Sequence, residues 1–263
     1  IRSVLVTKLS NSLSGVPAAE RGLALALLFG RLDGLEGRMK TVFYQSGCAH
    51  LVALSGMHVA LVAWALVRLA SPLFGAVGGR CLGMVGALVF IWLVGPFPSA
   101  LRALVMFLVW QTGAVLGYRV SILSTLALSG PCLSLIDPWL GVDLGFQLSL
   151  LALLGILVAQ AAWKDMLRRG LKPWLAGELA GGLSAQYATL PLLALRNMPV
   201  CLQGFLASLL LGPLSLGYLA CSAVCLLAGL VGGQALAFWP QLALGPLYQA
   251  LLVCGQLFVV DTG

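Results

Sequence analysis

From Leu144 to Ala162 the chain carries no charged side chain, and comparable uncharged apolar runs recur along most of its length. A helix needs about 20 such residues to cross about 30 Å of hydrocarbon, so runs of this kind decide what the chain can become. Only 9% of its residues are charged and 60% are hydrophobic, whereas an ordinary soluble domain is about 25% charged. Too few polar side chains remain to cover a water-facing surface. A transmembrane barrel is disfavoured, because it needs alternating strands and stretches such as Gly86 to Val94 or Leu148 to Val158 do not alternate. The 32 glycines suit close helix packing in lipid, although each would cost a soluble helix about 1 kcal/mol. The expected fold is all-α: a polytopic transmembrane helix bundle.

About eight spans are expected, near residues 50–67, 81–97, 101–117, 121–136, 144–162, 178–195, 203–230 and 242–260. Before them, Pro17 to Phe29 is too short to cross and leads into a stretch carrying Arg31, Asp33, Glu36, Arg38 and Lys40. That pattern predicts an interfacial N-terminal helix. Residues 1–46 are therefore taken as an interfacial segment and charged loop, and 47–263 as one integrated membrane domain. Pro131, Pro191 and the Gly212-Pro213 pair are candidate helix breaks, since proline removes a helix hydrogen bond. Some spans are expected to be broken or re-entrant, which membranes tolerate where protein or a wet cavity covers the freed backbone.

Lys164, Arg168, Arg169 and Lys172 form the strongest basic cluster, so the 163–173 loop is expected in the cytoplasm. The 137–143 loop, which has no basic residue, is expected outside. Arg31, Arg38 and Lys40 then fall on the side that the loop-charge rule disfavours. The chain starts at Ile1 and ends just past an apolar segment, and is expected to be part of a longer protein without a cleavable leader of its own. The seven cysteines lack metal-ligand spacing and read as small packing residues. No metal site, cofactor motif or catalytic residue is expected.

Polar side chains inside spans are the functional candidates, because lipid excludes them. The first span carries His50, Ser55, Gly56 and His58. The histidines project about 80° apart on a continuous helix. Ser55-Gly56 offers a helix break whose freed N–H groups would attract phosphate, while hydrogen bonding and close packing between helices account equally for these residues. Arg102, near the start of the third span, either snorkels to headgroups or presents its guanidinium fork to a phosphate inside a pore. Asp143 and Gln147 share a helix face beside Ser149, and Asp143 could equally cap its helix. Gln186 and Thr189 form a further polar series.

Taken in order, several strings resemble the competence domain of the ComEC family. These are Gly47-Cys-Ala-His50-Leu-Val-Ala-Leu-Ser55-Gly56-Met-His58-Val59, Arg102-Ala-Leu-Val-Met106, Asp137-Pro138, Gly145-Phe146-Gln147-Leu148-Ser149 and Thr189-Leu190-Pro191. The resemblance implies a multi-pass channel in the bacterial inner membrane that passes single-stranded DNA into the cytoplasm during natural transformation. It also implies a cytoplasmic helicase-like ATPase and a periplasmic or surface DNA receptor as partners, besides membrane lipids. Assembly of several copies is left open. An OB-like domain upstream and a metallo-β-lactamase-like domain downstream are expected elsewhere in the full-length protein. This chain has no His-x-His-x-Asp string and no phosphate loop, so neither nuclease nor motor is expected within it. The main rival reading is a secondary transporter of a small solute or metal ion, with His50 and His58 as its proton or metal groups. An intramembrane hydrolase using Ser55 or paired Asp residues is weaker, because Asp137 and Asp143 lie near span ends and no base is assigned to Ser55.

Overall fold

A computed structural model describes residues 13, 15–52, 56–196 and 203–259. Every regular element among them is helical: α1 (Ala18–Phe29), α2 (Gly37–Gln45), α3 (Ala49–Val52), α4 (Gly56–Val94), α5 (Pro98–Val115), α6 (Ile122–Ile136), a 3-10 turn (Pro138–Val142), α7 (Leu144–Leu167), α8 (Pro173–Leu195) and α9 (Gln203–Gln256). Among the described residues, the segments Ala49–Val94, Pro98–Val115, Leu144–Leu167 and Gly204–Gly229 are long and apolar enough to cross a membrane. The contacts gather into two compact units, residues 55–200 and the two chain ends, 1–54 with 201–263.

In the 55–200 unit, α4 is a hairpin. Its backbone leaves the helical region at Gly75, where φ is 72°, a conformation glycine adopts without the steric cost that a Cβ brings. The two arms then pack along a glycine seam. A Cβ added at Gly79 would lie 2.2 Å from Ser71 Oγ, one at Gly83 2.3 Å from Val67 Cγ2, and one at Gly86 2.0 Å from Leu66 Cδ1. The expected connection over 68–80 is thus a single-residue reversal; the arms begin at Gly56 and end at Val94, both nearer to Gly75 than the expected 50 and 97, and each covers about the 28 Å of 19 helical residues. Val59, Ala63, Ala87, Ile91, Ala100 and Leu104 form the core between α4 and α5.

The same logic joins α7 to α8. Gly155 faces Ser184 and Ala188, and a Cβ there would sit 2.4 Å from the Ser184 carbonyl oxygen. Ala176, Ala180 and Ser184 are the buried residues of α8, one every helical turn, so the seam lies along one stripe. Helices α6 and α8 run through Pro131 and Pro191. The reversal within α4 falls at Gly75.

In the unit of the chain ends, α9 carries Gly212, Pro213, Pro240 and Pro246 within helix. A Cβ on Gly255 would lie 3.7 Å from Leu211 Cδ2. In one straight helix those residues would be about 66 Å apart, so the later part of α9 returns alongside the earlier part, as the two expected spans at 203–230 and 242–260 require. Helix α1 packs on α9 with most of its side chains buried. The Tyr218 hydroxyl donates to the Glu20 carbonyl at 2.7 Å, and the Tyr248 hydroxyl donates to Glu36 Oε2. Partial burial pushes the Glu20 carboxyl above its ordinary range.

Gly155→Leu will force α7 and α8 apart, at the roughly 1–3 kcal/mol typical of overpacking. Thermal unfolding in detergent should show a lower midpoint than for Gly130→Leu, a control whose added Cβ meets nothing within 4 Å. Equal midpoints would show that the seam is not close-packed.

Candidate functional site

Helix α5 starts abruptly because Gly95, at φ 121°, turns the chain and Pro98 stands at the first helical position, where its missing N–H costs nothing. Arg102 follows one turn in. Ala100 and Leu104 face the α4 core, and at 100° per residue Arg102 projects from the opposite side of α5. Its side chain is 7% exposed.

The Arg102 guanidinium bridges α5 to α7: Nη2 donates to Ser149 Oγ, and Nη1 lies 3.9 Å from Met106 Sδ. Its Nε is buried without a hydrogen-bond partner. The sole ion pair among the described residues is the exposed Arg31–Asp33 contact at 3.9 Å, so no described carboxylate neutralises Arg102. Arginine stays protonated in proteins. A buried cation whose contacts are a hydroxyl and a thioether is poorly compensated, at an effective cost of several kcal/mol.

The start of α7 supplies the opposite wall. Asp143 is its N-cap, with Oδ1 accepting from the Phe146 N–H at 2.8 Å, so its carboxylate is committed to the helix end. Gln147 donates from Nε2 to the Gly141 carbonyl at 2.8 Å, while its Oε1 is buried and unpartnered. Asp137 likewise serves a turn, accepting from the Trp139 N–H at 3.0 Å. The structure thus brings together Arg102, Ser149 and Met106, and sets Gln147 with its Asp143-capped turn at the same helix end.

The remaining candidates lie apart from that group. Thr189 spends its hydroxyl on the carbonyls of Ala185 and Gln186 at 3.1 and 3.0 Å, and Gln186 is half-buried on α8. His58 is 2% exposed on the first arm of α4, whereas His50 lies exposed on α3 in the other unit. Gly56 begins α4, where a Cβ would meet Ala103 Cβ at 2.9 Å, so close packing on α5 accounts for it. Ser55 lies outside the described residues. Among them, no three His, Cys, Asp or Glu side chains gather as a metal site. Gln111, 7% exposed on α5, was not singled out from the sequence. A lone amide inside an apolar helix was the available signal.

These features can be set against known proteins. A family model, Competence protein, matches residues 27–260. The chain belongs to the competence protein family, and its apolar helices make it a membrane-embedded member with a competence-related role. It is 27% identical over 192 residues to "ComE operon protein 3" of Bacillus subtilis (strain 168), covering 72% of this chain and 24% of that protein. It is 33% identical over 140 residues to an "Uncharacterized protein" of Aquifex aeolicus (strain VF5), covering 52% of this chain and 33% of that one. The chain therefore matches a quarter to a third of the length of these relatives. No solved structure matches.

If Arg102 is a poorly compensated charge and not a structural strut, Arg102→Met will leave thermal stability unchanged or raise it. Replacing a buried ionic group by an apolar one of similar volume is often neutral or stabilising by about 1–4 kcal/mol. A clear fall in the unfolding midpoint in detergent would show that Arg102 holds the bundle together.

Proposed function

We propose that this chain is the membrane portion of a DNA-uptake channel, and that single-stranded DNA crosses the bacterial inner membrane through it during natural transformation. The observation that carries the reading is Arg102, a permanent cation buried between α5 and α7 with no described carboxylate to balance it. A phosphodiester matches the planar guanidinium fork. The Ser149 hydroxyl beside it can hydrogen-bond a phosphate oxygen in turn, and Nε has a donor to spare. Membership of the competence family and the apolar helices support the same reading.

The channel role assigns no bond-making chemistry to this chain. Its proposed lining consists of Arg102, Ser149 and Gln147, with His58 toward the α4 side. The charge of Asp143 is partly offset by the α7 N-terminus that it caps. Movement is driven by a cytoplasmic helicase-like ATPase, and a receptor on the outer side delivers the strand. The formal charge of +7 suits a polyanionic cargo.

The test places Arg102→Met and Arg102→Lys in the full-length protein of a naturally transformable host. Arg102→Met should lower transformation at least tenfold at normal membrane abundance, and Arg102→Lys, which keeps charge but not the fork, should fall between it and wild type. Undiminished transformation by Arg102→Met would refute the role. Loss of solute or metal uptake alone would favour the transporter.

A further inference from the structure

Helix α2 presents an outer face that neither the fold nor the channel reading uses. Met39, Val42 and Phe43 are buried, and Val42 closes against Gly255 of α9, where an added Cβ would lie 2.1 Å from Val42 Cγ1. The other face carries Lys40, Thr41, Tyr44 and Gln45, which with Leu32 line an open groove of about 420 Å³. Lys40 and Tyr44, and likewise Thr41 and Gln45, are one helical turn apart, so their side chains stand side by side.

The groove holds one ammonium group, an aromatic ring 59% exposed, a carboxamide and a hydroxyl, and no carboxylate lines it. The Thr41 hydroxyl donates to the Gly37 carbonyl at 3.0 Å, so its proton is already used. No ion pair engages Lys40 among the described residues. The nearby Glu36 carboxylate is turned to the Tyr248 hydroxyl. Cation and exposed ring together are the means by which proteins hold an unpaired strand without reading its sequence, the ring stacking on a base and the cation meeting a phosphate.

We propose that this α2 groove is a docking site for one nucleotide unit of single-stranded DNA, with the base on Tyr44 and a backbone phosphate at Lys40. The proposal rests on the uptake reading and assigns that strand a holding point on the unit of the chain ends. It also gives a role to Lys40, one of the basic residues that the loop-charge rule leaves on the disfavoured side. Lipid headgroups fit less well. A helix lying on lipid turns its apolar face to the membrane, and the apolar face of α2 is already used inside the unit.

The experiment uses the full-length protein in nanodiscs and an oligothymidylate carrying a single 2-aminopurine, whose fluorescence is quenched by stacking. Wild type should quench it. Tyr44→Ala should lose the quenching and weaken binding about tenfold, while Tyr44→Phe retains both, because the ring and not the hydroxyl does the stacking. Lys40→Gln should reduce the salt dependence by about 0.7 of a log unit per log unit, the contribution of one phosphate contact on a single strand. Binding and quenching unchanged in Tyr44→Ala would overturn the groove site, as would displacement of the oligonucleotide by phosphatidylglycerol added to the discs, which would give the groove to headgroups. Neither result touches the channel reading, which fails separately if Arg102→Met transforms normally.

Discussion

Inside hydrocarbon no water is present to hydrogen-bond the backbone, so each peptide group must find its partner within the chain. This constraint makes every described regular element a helix, and it also governs how the helices meet. Lipid tails are as apolar as leucine, and no hydrophobic force drives helix against helix there. Close van der Waals contact must do it, and only small residues let two backbones approach. The seams of Gly79, Gly83 and Gly86 on the first arm of α4, and of Gly155 on Ser184, are the result.

The small polar side chains answer to the same constraint. Ser71, Thr125, Ser129, Ser184, Thr189 and Ser208 all donate to carbonyls three or four residues back in their own helices. Among the candidate lining residues, Thr189 is therefore satisfied locally and asks nothing of a cargo. Arg102 is not satisfied in this way. It reaches across to α7 and still leaves Nε without a partner.

Much of this was legible in the sequence. Uncharged runs located the helices, Asp143 ahead of Leu144-Gly-Phe146 already carried the capping alternative that the structure adopts, and Arg102 stood out as the intramembrane cation. What was not legible depends on distant partners. The gap between the expected spans placed a connection within 68–80, but nothing local selects Gly75 over Gly78 or Gly79 there; only the packing of the two α4 arms on each other does. Pro131, Pro191 and Gly212-Pro213 carried a local signal for a break, yet their helices continue through them. The Tyr218 contact to Glu20 joins residues 198 positions apart and has no trace in any short motif.

A buried cation that is fully paired would be a poor feature for a path. A carboxylate beside Arg102 would neutralise it, and a passing phosphate would then have to displace an equally charged partner held at high effective concentration. Ser149 and Met106 offer the guanidinium enough contact to keep it oriented, and neither carries charge to defend the site. In the proposed channel a phosphate would take their place and be replaced by the next one, since each exchange trades one set of hydrogen bonds for a similar set. On the proposed channel reading, weak compensation, which costs the bundle stability, would allow one fixed arginine to serve a moving polyanion.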